Sequence, residues 1–518
     1  MSQNPPNVRP PTAEEIRAAA SAHHIELTDE ELADFAAMIP ETLAGYERLD
    51  AIPEPARELA HTDRDPGYKP DRSEDPLNAF VTKCRIEGAS EGPLAGYEIG
   101  VKDNVAVAGI EMTCGSKLFE GYVPRHDATI VTRLLDAGAT ITGKTNMEDM
   151  AFSGSGELSA TGAVLNPVSR NHIAGGSSSG SAAAVVAGDV DVAIGGDQGG
   201  SIRIPAAWSG CVGHKPTHGL VPYTGIVGLG HSFDHVGPMA TTVADCARTL
   251  DVLAGTDPLD PRQGTVVLPD EGYEAALDTS SDDVTIGVVE EGFGHETSET
   301  GVDDGVRTAL DDFEDRGAEI REVSVPTHLD GLPIWNAIVT EEFAALVRSE
   351  GVGHYGKGFY DTHLAAFFAK ARRTRANDYL STVKLTLIMG EYLATQYHGH
   401  YYAKAQNLRR ELSSAYDEVL TDVDVLAMPT TPGTAHELRD DLTRVETIER
   451  ALSMLANTAP FDVSGHPGLS VPCGTVGGLP VGLMFVGERG ADATVLAAGA
   501  AFEESVDPRT DRNERIET

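Results

Sequence analysis

Apolar and polar positions recur with two different periods along the chain, and the changeover divides it. Near the N-terminus, Thr12 followed by Glu15 and Thr28 followed by Glu31 have the spacing of capping boxes, where each side chain bonds the other residue's backbone N–H. After the second pair, Leu32, Phe35 and Ile39 recur at helical spacing, and Pro40 is expected to interrupt them. Residues 60–76 (AHTDRDPGYKPDRSEDP) are polar and proline-rich and read as a linker. These features predict an N-terminal helical domain over 1–85.

From about Leu77 short β-like runs such as YEIGVKD alternate with helical patterns. Asp127 is placed to cap a helix carrying Ile130, Val131, Leu134 and Leu135, which Gly138 can end, and ATITGK reads as a strand. The alternation predicts an α/β layer architecture. Residues 161–240 are dense in Gly, Ser and Ala with bulky apolar residues interleaved, the mark of backbone packed too closely for side chains. Near 266 the pattern changes again. VTIGVV, then a helix with Val302, Val306, Leu310 and Phe313 on one face, then EIREVSVP make a βαβ unit. A long helical tract follows over about 336–420, and DVLAMPTTP restores β character. We read 266–394 as an inserted small α/β domain that splits a larger domain into 86–265 and 395–518. No repeat of solenoid length is apparent.

Charge narrows the function. The 518 residues carry 80 acidic and 39 basic side chains, a net charge of −41, which would repel phosphates and anionic membrane surfaces. The basic residues are 10 Lys and 29 Arg. Few lysines and a dispersed acidic excess suggest solubility in concentrated salt, which screens self-repulsion, so we expect a halophilic protein. Cys84, Cys114, Cys211, Cys246 and Cys473 show neither disulfide-framework nor zinc spacing. The start MSQNPPNVRPPTAEE holds no apolar stretch of signal-peptide type, and no run of about 18 apolar residues occurs. A cytoplasmic protein is the expectation.

Three segments carry chemistry: VKDN with Lys102, AGGSSSGSAAA with Ser177 to Ser179, and GGDQGGSIRIPA with Ser201. Gly199 and Gly200 can turn backbone N–H groups toward a ligand oxygen, with a serine directly after them. A nucleophile beside a cradle of donors is what acyl transfer needs. A serine hydroxyl also needs a base, and with 17 histidines one of them is a candidate. Gly176–Gly180 formally fits the GxSxG elbow, but the required strand is missing before it. Within 161–240 no glycine-rich stretch ends in GK[ST] or shows GxGxxG between strand and helix, so phosphate cradles are not indicated there. His398-Gly399-His400 has no third ligand at metal-site spacing.

GGSSSGSAAA followed by GGDQGGSIRIPA, with Ser177 and Ser201 24 positions apart, resembles the amidase signature family. The resemblance extends to VKDN, HKPTHGLVPYTG and NTAPFDVSGHPGLSVP and covers nearly the whole chain. It is nearest to the enantioselective amidases of nitrile-derived amides, to which the DQGGS wording also points. It implies a mixed β-sheet covered by helices, and a Ser–cisSer–Lys triad of Ser201, Ser177 and Lys102 that works through an acyl-enzyme. It implies an oxyanion hole from backbone N–H groups around Gln198, Gly199, Gly200 and Ser201. Phe152, Trp335, Leu452 and Leu455 fall where relatives line an apolar acyl pocket. No metal or organic cofactor is implied, and the N-terminal helices are expected to mediate a homodimer. One departure is Ser179, where the family usually has glycine. The activity implied is hydrolysis of small aliphatic or aromatic amides to carboxylic acid and ammonia.

Three other readings stay open. The A subunit of a glutamine-dependent tRNA amidotransferase would share the triad and act within a complex. A non-catalytic protein on the same fold would be inert toward amides. A Ser-His-Asp hydrolase would need a histidine and not Lys102.

Overall fold

Twelve strands of one sheet organise the larger part of the molecule in a computed structural model that describes residues 8–55 and 57–505. In chain order they are β1 (Asp65–Tyr68), β2 (Phe80–Glu87), β3 (Glu98–Lys102), β4 (Thr140–Thr145), β5 (Val192–Asp197) and β6 (Val212–Lys215). β7 (His235–Ala240), β8 (Thr285–Val289), β9 (Glu319–Val323), β10 (Val425–Pro429), β11 (Gly468–Val476) and β12 (Leu479–Val486) follow. Their spatial order is β1-β2-β4-β3-β5-β7-β6-β11-β12-β10-β8-β9. The sheet is mixed: β3 runs parallel to both β4 and β5, and β8 runs parallel to β9 and β10, while the remaining pairs are antiparallel.

Helices cover both faces, so β5 is buried at every residue. Their sequences show why. The helix Thr129–Asp136 turns Ile130, Val131, Leu134 and Leu135 onto the sheet, where they pack with Ile99, Ile141 and Val192. The helix Ser179–Ala187 is made of small residues and lies close against β5, with Ala182, Ala183 and Val185 packed beside Ala193.

The chain divides after Glu58 into two compact units. In the first, the helices Ala13–Ala22 and Asp29–Asp50 both open on the capping boxes read from the sequence, at Thr12/Glu15 and Thr28/Glu31. Pro40 does not interrupt the second helix, which continues through it to Asp50. The second unit begins at Leu59, short of position 85, because residues 59–85 feed the sheet. The polar stretch 60–76, read as a linker, contains the edge strand β1, and β2 begins at Phe80. The segment 266–394 contributes β8 and β9 to this same sheet. Asp127 does not cap the following helix: Arg64 holds its two oxygens at 2.8 and 2.6 Å, and the helix opens on Ala128 with no side-chain cap. A buried guanidinium competes better for a carboxylate than a single helix N–H does.

No helix among the described residues is long and apolar enough to cross a membrane. Nor does any group of three or more His, Cys, Asp or Glu gather there as metal ligands. His398 and Gly399 form the left-handed turn that leads into the helix His400–Val419.

The helix Ser179–Ala187 sets the position of the serine segment, and Gly180 lets it approach. A Cβ there would stand 2.2 Å from the Ala79 carbonyl oxygen and 2.4 Å from the Asn146 nitrogen. Backbone on both sides cannot yield cheaply. Gly180→Ala is therefore expected to lower stability by about 1–3 kcal/mol, read as a reduced midpoint in urea unfolding. An unchanged midpoint would mean the helix can shift.

Candidate active site

Lys102 is the last residue of β3, and its side chain is wholly buried. Its Nζ donates to Ser177 Oγ at 2.8 Å and to the Gly196 carbonyl at 3.0 Å. Ser177 follows a cis peptide bond from Gly176. The next residue ties this segment to β5: Ser178 Oγ donates to the Gly196 carbonyl and accepts from the Gly196 N–H, both at 3.1 Å. Ser178 N–H donates to the Ser201 carbonyl at 3.2 Å. Ser179 is buried and starts the helix, its place in the family's glycine position accommodated there. The three segments thus meet at the carboxyl ends of neighbouring parallel strands, where open α/β sheets place ligands.

Burial is the largest influence on the Lys102 ammonium and pushes it down to about 7, against the opposing negative charges of Asp197, Glu148 and Asp234. Glu148 is itself pushed up to about 8, by burial first and then by Glu157, so much of its charge is absent at neutral pH. It accepts a short hydrogen bond from the Gly156 N–H and lies under Gly176.

Ser201 sits in the turn after β5. Asp197 closes that turn: its Oδ1 accepts from Gly200 N–H at 2.6 Å and its Oδ2 from Ile202 N–H at 3.0 Å. Arg203 grips the same carboxylate through Nε and Nη2, both at 3.0 Å. Arg203 Nη2 also reaches Asp462 Oδ2 at 2.8 Å and the Thr458 carbonyl at 3.0 Å. All three charged side chains are inaccessible to solvent. For Asp197, burial opposes ionisation, but the charge and hydrogen bonds of Arg203 outweigh it and hold the carboxyl below its ordinary range. For Asp462, burial and then the Asp197 charge push it well above that range. The two carboxyls are thus driven in opposite directions.

The expected donors around Ser201 divide. The Gly200 N–H is committed to Asp197 and does not face a ligand, because the carboxylate needs it to close the turn. The N–H groups of Gln198, Gly199 and Ser201 donate to no protein group among the described residues. The glycines are needed for close approach. A Cβ on Gly199 would lie 2.8 Å from Trp335 Cζ2, and Gly200 has φ +132° with Thr458 Oγ1 2.3 Å from its missing Cβ. Ser201 Oγ makes no hydrogen bond among the described residues, and none joins the Ser177 and Ser201 hydroxyls.

Ser201 lines a narrow cavity with Phe152, Leu229, Trp335, Leu452 and Leu455. All four pocket residues named from the sequence therefore meet here. Trp335 comes from the helix Gly331–Ser349 and donates its Nε1–H to the Gln198 carbonyl at 2.6 Å. Phe152 follows a turn in which Met150 and Ala151 both have positive φ, and it packs on Phe343 with ring centroids 5.2 Å apart. No charged side chain and no histidine lines this cavity. A larger cavity is lined by Tyr223, but Lys102, Ser177 and Ser201 do not line it, and its Arg262 is paired with Asp260 at 2.6 Å.

Sequence reasoning missed Glu148, Tyr223, Thr458 and Asp462. Asp462 could have been noticed as the one acid inside the otherwise apolar and glycine-rich APFDVSGHPG.

Comparison with known proteins adds a lineage to this geometry. The Amidase family model matches residues 78–496. An enantioselective amidase of Rhodococcus rhodochrous is 44% identical over 514 residues, covering 96% of this chain and 96% of the relative. The A subunit of the glutamyl-tRNA(Gln) amidotransferase of Haloarcula marismortui is 42% identical over 434 residues, covering 82% of this chain and 99% of the relative. The solved structure of a peptide amidase from Stenotrophomonas maltophilia superposes with a TM-score of 0.68 at 31% identity, covering 80% of this chain and 84% of that one.

If Asp462 is protonated, its neutral isostere should serve. Asp462→Asn keeps an acceptor for Arg203 and a donor toward Asp197, and is expected to change unfolding free energy by no more than about 1 kcal/mol. Asp462→Ala takes one acceptor from Arg203 and leaves a gap in a dry site, and should cost about 2–3 kcal/mol. Equal damage from both substitutions in urea titrations would mean that Asp462 carries charge.

Proposed function

The chain belongs to the Amidase family and is an enzyme of that family, and from this premise we propose that it hydrolyses small apolar carboxamides through Lys102, Ser177 and Ser201. The observation that carries the proposal is a wholly buried lysine held 2.8 Å from Ser177, beside a nucleophile candidate in an uncharged cavity. A lysine whose pKa burial lowers to about 7 is available as a neutral base.

In the proposed reaction, Lys102 Nζ takes the Ser177 proton as Ser177 takes that of Ser201. Ser201 Oγ bonds to the amide carbonyl carbon. The oxyanion is received by the N–H groups of Gln198, Gly199 and Ser201, each such donor being worth roughly 3–4 kcal/mol in comparable sites. The proton returns through Ser177 to the nitrogen, the C–N bond breaks, and ammonia leaves an acyl-enzyme. Water, giving its proton to the same pair, then releases the acid. The Ser177–Ser201 contact this requires is of a kind that is commonly long before substrate binds.

The similarity to the A chains of tRNA amidotransferases favours a second reading, glutamine hydrolysis within a complex. Glutamine carries an ammonium and a carboxylate, and the cavity beside Ser201 offers neither a partner. The match across 96% of both chains with an amidase also favours an autonomous enzyme. We place the enzyme in the cytoplasm and assign a homodimer. In the N-terminal unit, Phe35, Met38, Tyr46 and Leu49 form one exposed stripe of the helix Asp29–Asp50, which buries no residue of its own.

Ammonia release from propionamide and benzamide is expected to vanish in Ser201→Ala and Lys102→Ala, with glutamine left untouched by the wild type. The reactive lysine is the neutral form, which dominates above its pKa. kcat/KM should therefore fall about tenfold per unit of pH below about 7 and level off above it. Activity that survives either substitution, or that falls as pH rises through 7, would exclude this chemistry.

The net charge of −41 generates a separate expectation. Raising KCl from about 0.1 M to 1 M shortens the screening length from roughly 10 Å to 3 Å. The thermal midpoint should rise across that range, and a midpoint that falls would count against salt adaptation.

A further inference from the structure

The amide chemistry leaves one polar atom near the reacting groups without a task. Gln198 is nearly fully buried and lines the cavity beside Ser201. Its Nε2–H donates to the Tyr223 hydroxyl at 2.8 Å, and its backbone carbonyl accepts from Trp335 at 2.6 Å. Its side-chain oxygen Oε1 is buried and has no partner. An unpaired buried amide oxygen is costly to a fold. Here the adjoining groups hold the rest of the residue while that one acceptor is left without a donor.

The position of the side chain gives the acceptor a meaning. A Cβ built on Gly196 would lie 3.5 Å from Gln198 Nε2 and 3.5 Å from Lys102 Nζ, so carboxamide and ammonium flank the same point. In the reaction proposed above, the Lys102–Ser177 pair delivers the proton that lets nitrogen leave. The nitrogen of a bound amide must therefore come within reach of Ser177, and Gln198 lines the cavity beside Ser201 by which it would enter. It presents one proton-accepting lone pair to Ser177, and its N–H bonds need acceptors of their own.

We propose that Gln198 selects substrates by their leaving nitrogen: Oε1 accepts a hydrogen bond from the N–H of the scissile amide, and Tyr223 holds the carboxamide so that it can. The inference rests on the amide-hydrolysis reading and deepens it. It assigns the site to carboxamides that keep an N–H, primary amides above all, over esters of the same acid. An ester oxygen in that place would set two acceptors face to face, with no proton between them.

The test compares a matched pair, benzamide and methyl benzoate, with the full chain in molar KCl. kcat/KM is measured for wild type, Gln198→Met and Tyr223→Phe. Methionine keeps the length of the side chain without its hydrogen-bonding groups. The amide-to-ester ratio of kcat/KM is expected to fall roughly tenfold or more in Gln198→Met, and by a smaller factor in Tyr223→Phe, where the carboxamide stays but loses its anchor. A ratio that stays at the wild-type value in both variants overturns the inference and leaves amide hydrolysis standing, since Gln198 would then serve the carbonyl or the fold. A folded wild type that cleaves the ester and no amide, or neither compound, overturns the amide-hydrolysis reading and the inference with it.

Discussion

The rest of the site follows from the burial of Arg203 between Asp197 and Asp462. Taking an ion out of water costs several kcal/mol even after relaxation, so a dry guanidinium demands compensation. Asp197, Asp462 and the buried Lys215 lie around it and act on one another. Arg203 favours the ionised form of Asp197, while burial and the Asp197 charge favour the protonated form of Asp462. Geometry follows from that choice. The ionised Asp197 has oxygens to spare after Arg203, and it spends them on the N–H groups of Gly200 and Ile202. Those two bonds bracket Ser201, so the shape of its turn is set by an ion cluster behind it.

The same low-dielectric interior makes Lys102 useful. An ammonium in water would remain charged at neutral pH and could accept nothing. Lowering its pKa from an ordinary 10.5 to about 7 corresponds to roughly 5 kcal/mol against the charged form. Burial does more than that alone, because Asp197 and Glu148 pull the other way. Glu148 pulls less than its position suggests, being partly protonated itself. Basicity near neutrality is thus a difference between large opposing effects, and it depends on water staying out.

How much of this could be read from the sequence depended on whether a residue's role is local. Glycine and serine runs mark close backbone approach wherever they occur, so 175–180 and 199–201 stood out, and Lys102 with them. The capping boxes at Thr12 and Thr28 were likewise legible, since both partners lie within one turn. Roles fixed by distant partners were not. Asp127 has the form of a helix cap, and only Arg64, 63 positions away, shows that its oxygens are taken. Asp462 meets Arg203 across 259 positions. β1 is a strand because β2 offers it an edge, and nothing in AHTDRDPGYKP announces that pairing. The Gly200 N–H looked free in the sequence because the carboxylate that engages it had no visible reason to turn back.

The site is also divided along the chain in a way that bears on its history. Every group proposed for bond making and breaking lies between Lys102 and Arg203, gathered at the carboxyl ends of two neighbouring strands. The wall that a substrate's acyl group meets is mostly supplied from far downstream, by Trp335, Leu452 and Leu455. Mutations in the downstream segment can resize the wall without touching the residues whose protonation and spacing the reaction requires. Such a molecule can change its diet by drift in one region while selection holds the other still. Relatives with the same reactive core and different substrates are the outcome this division permits.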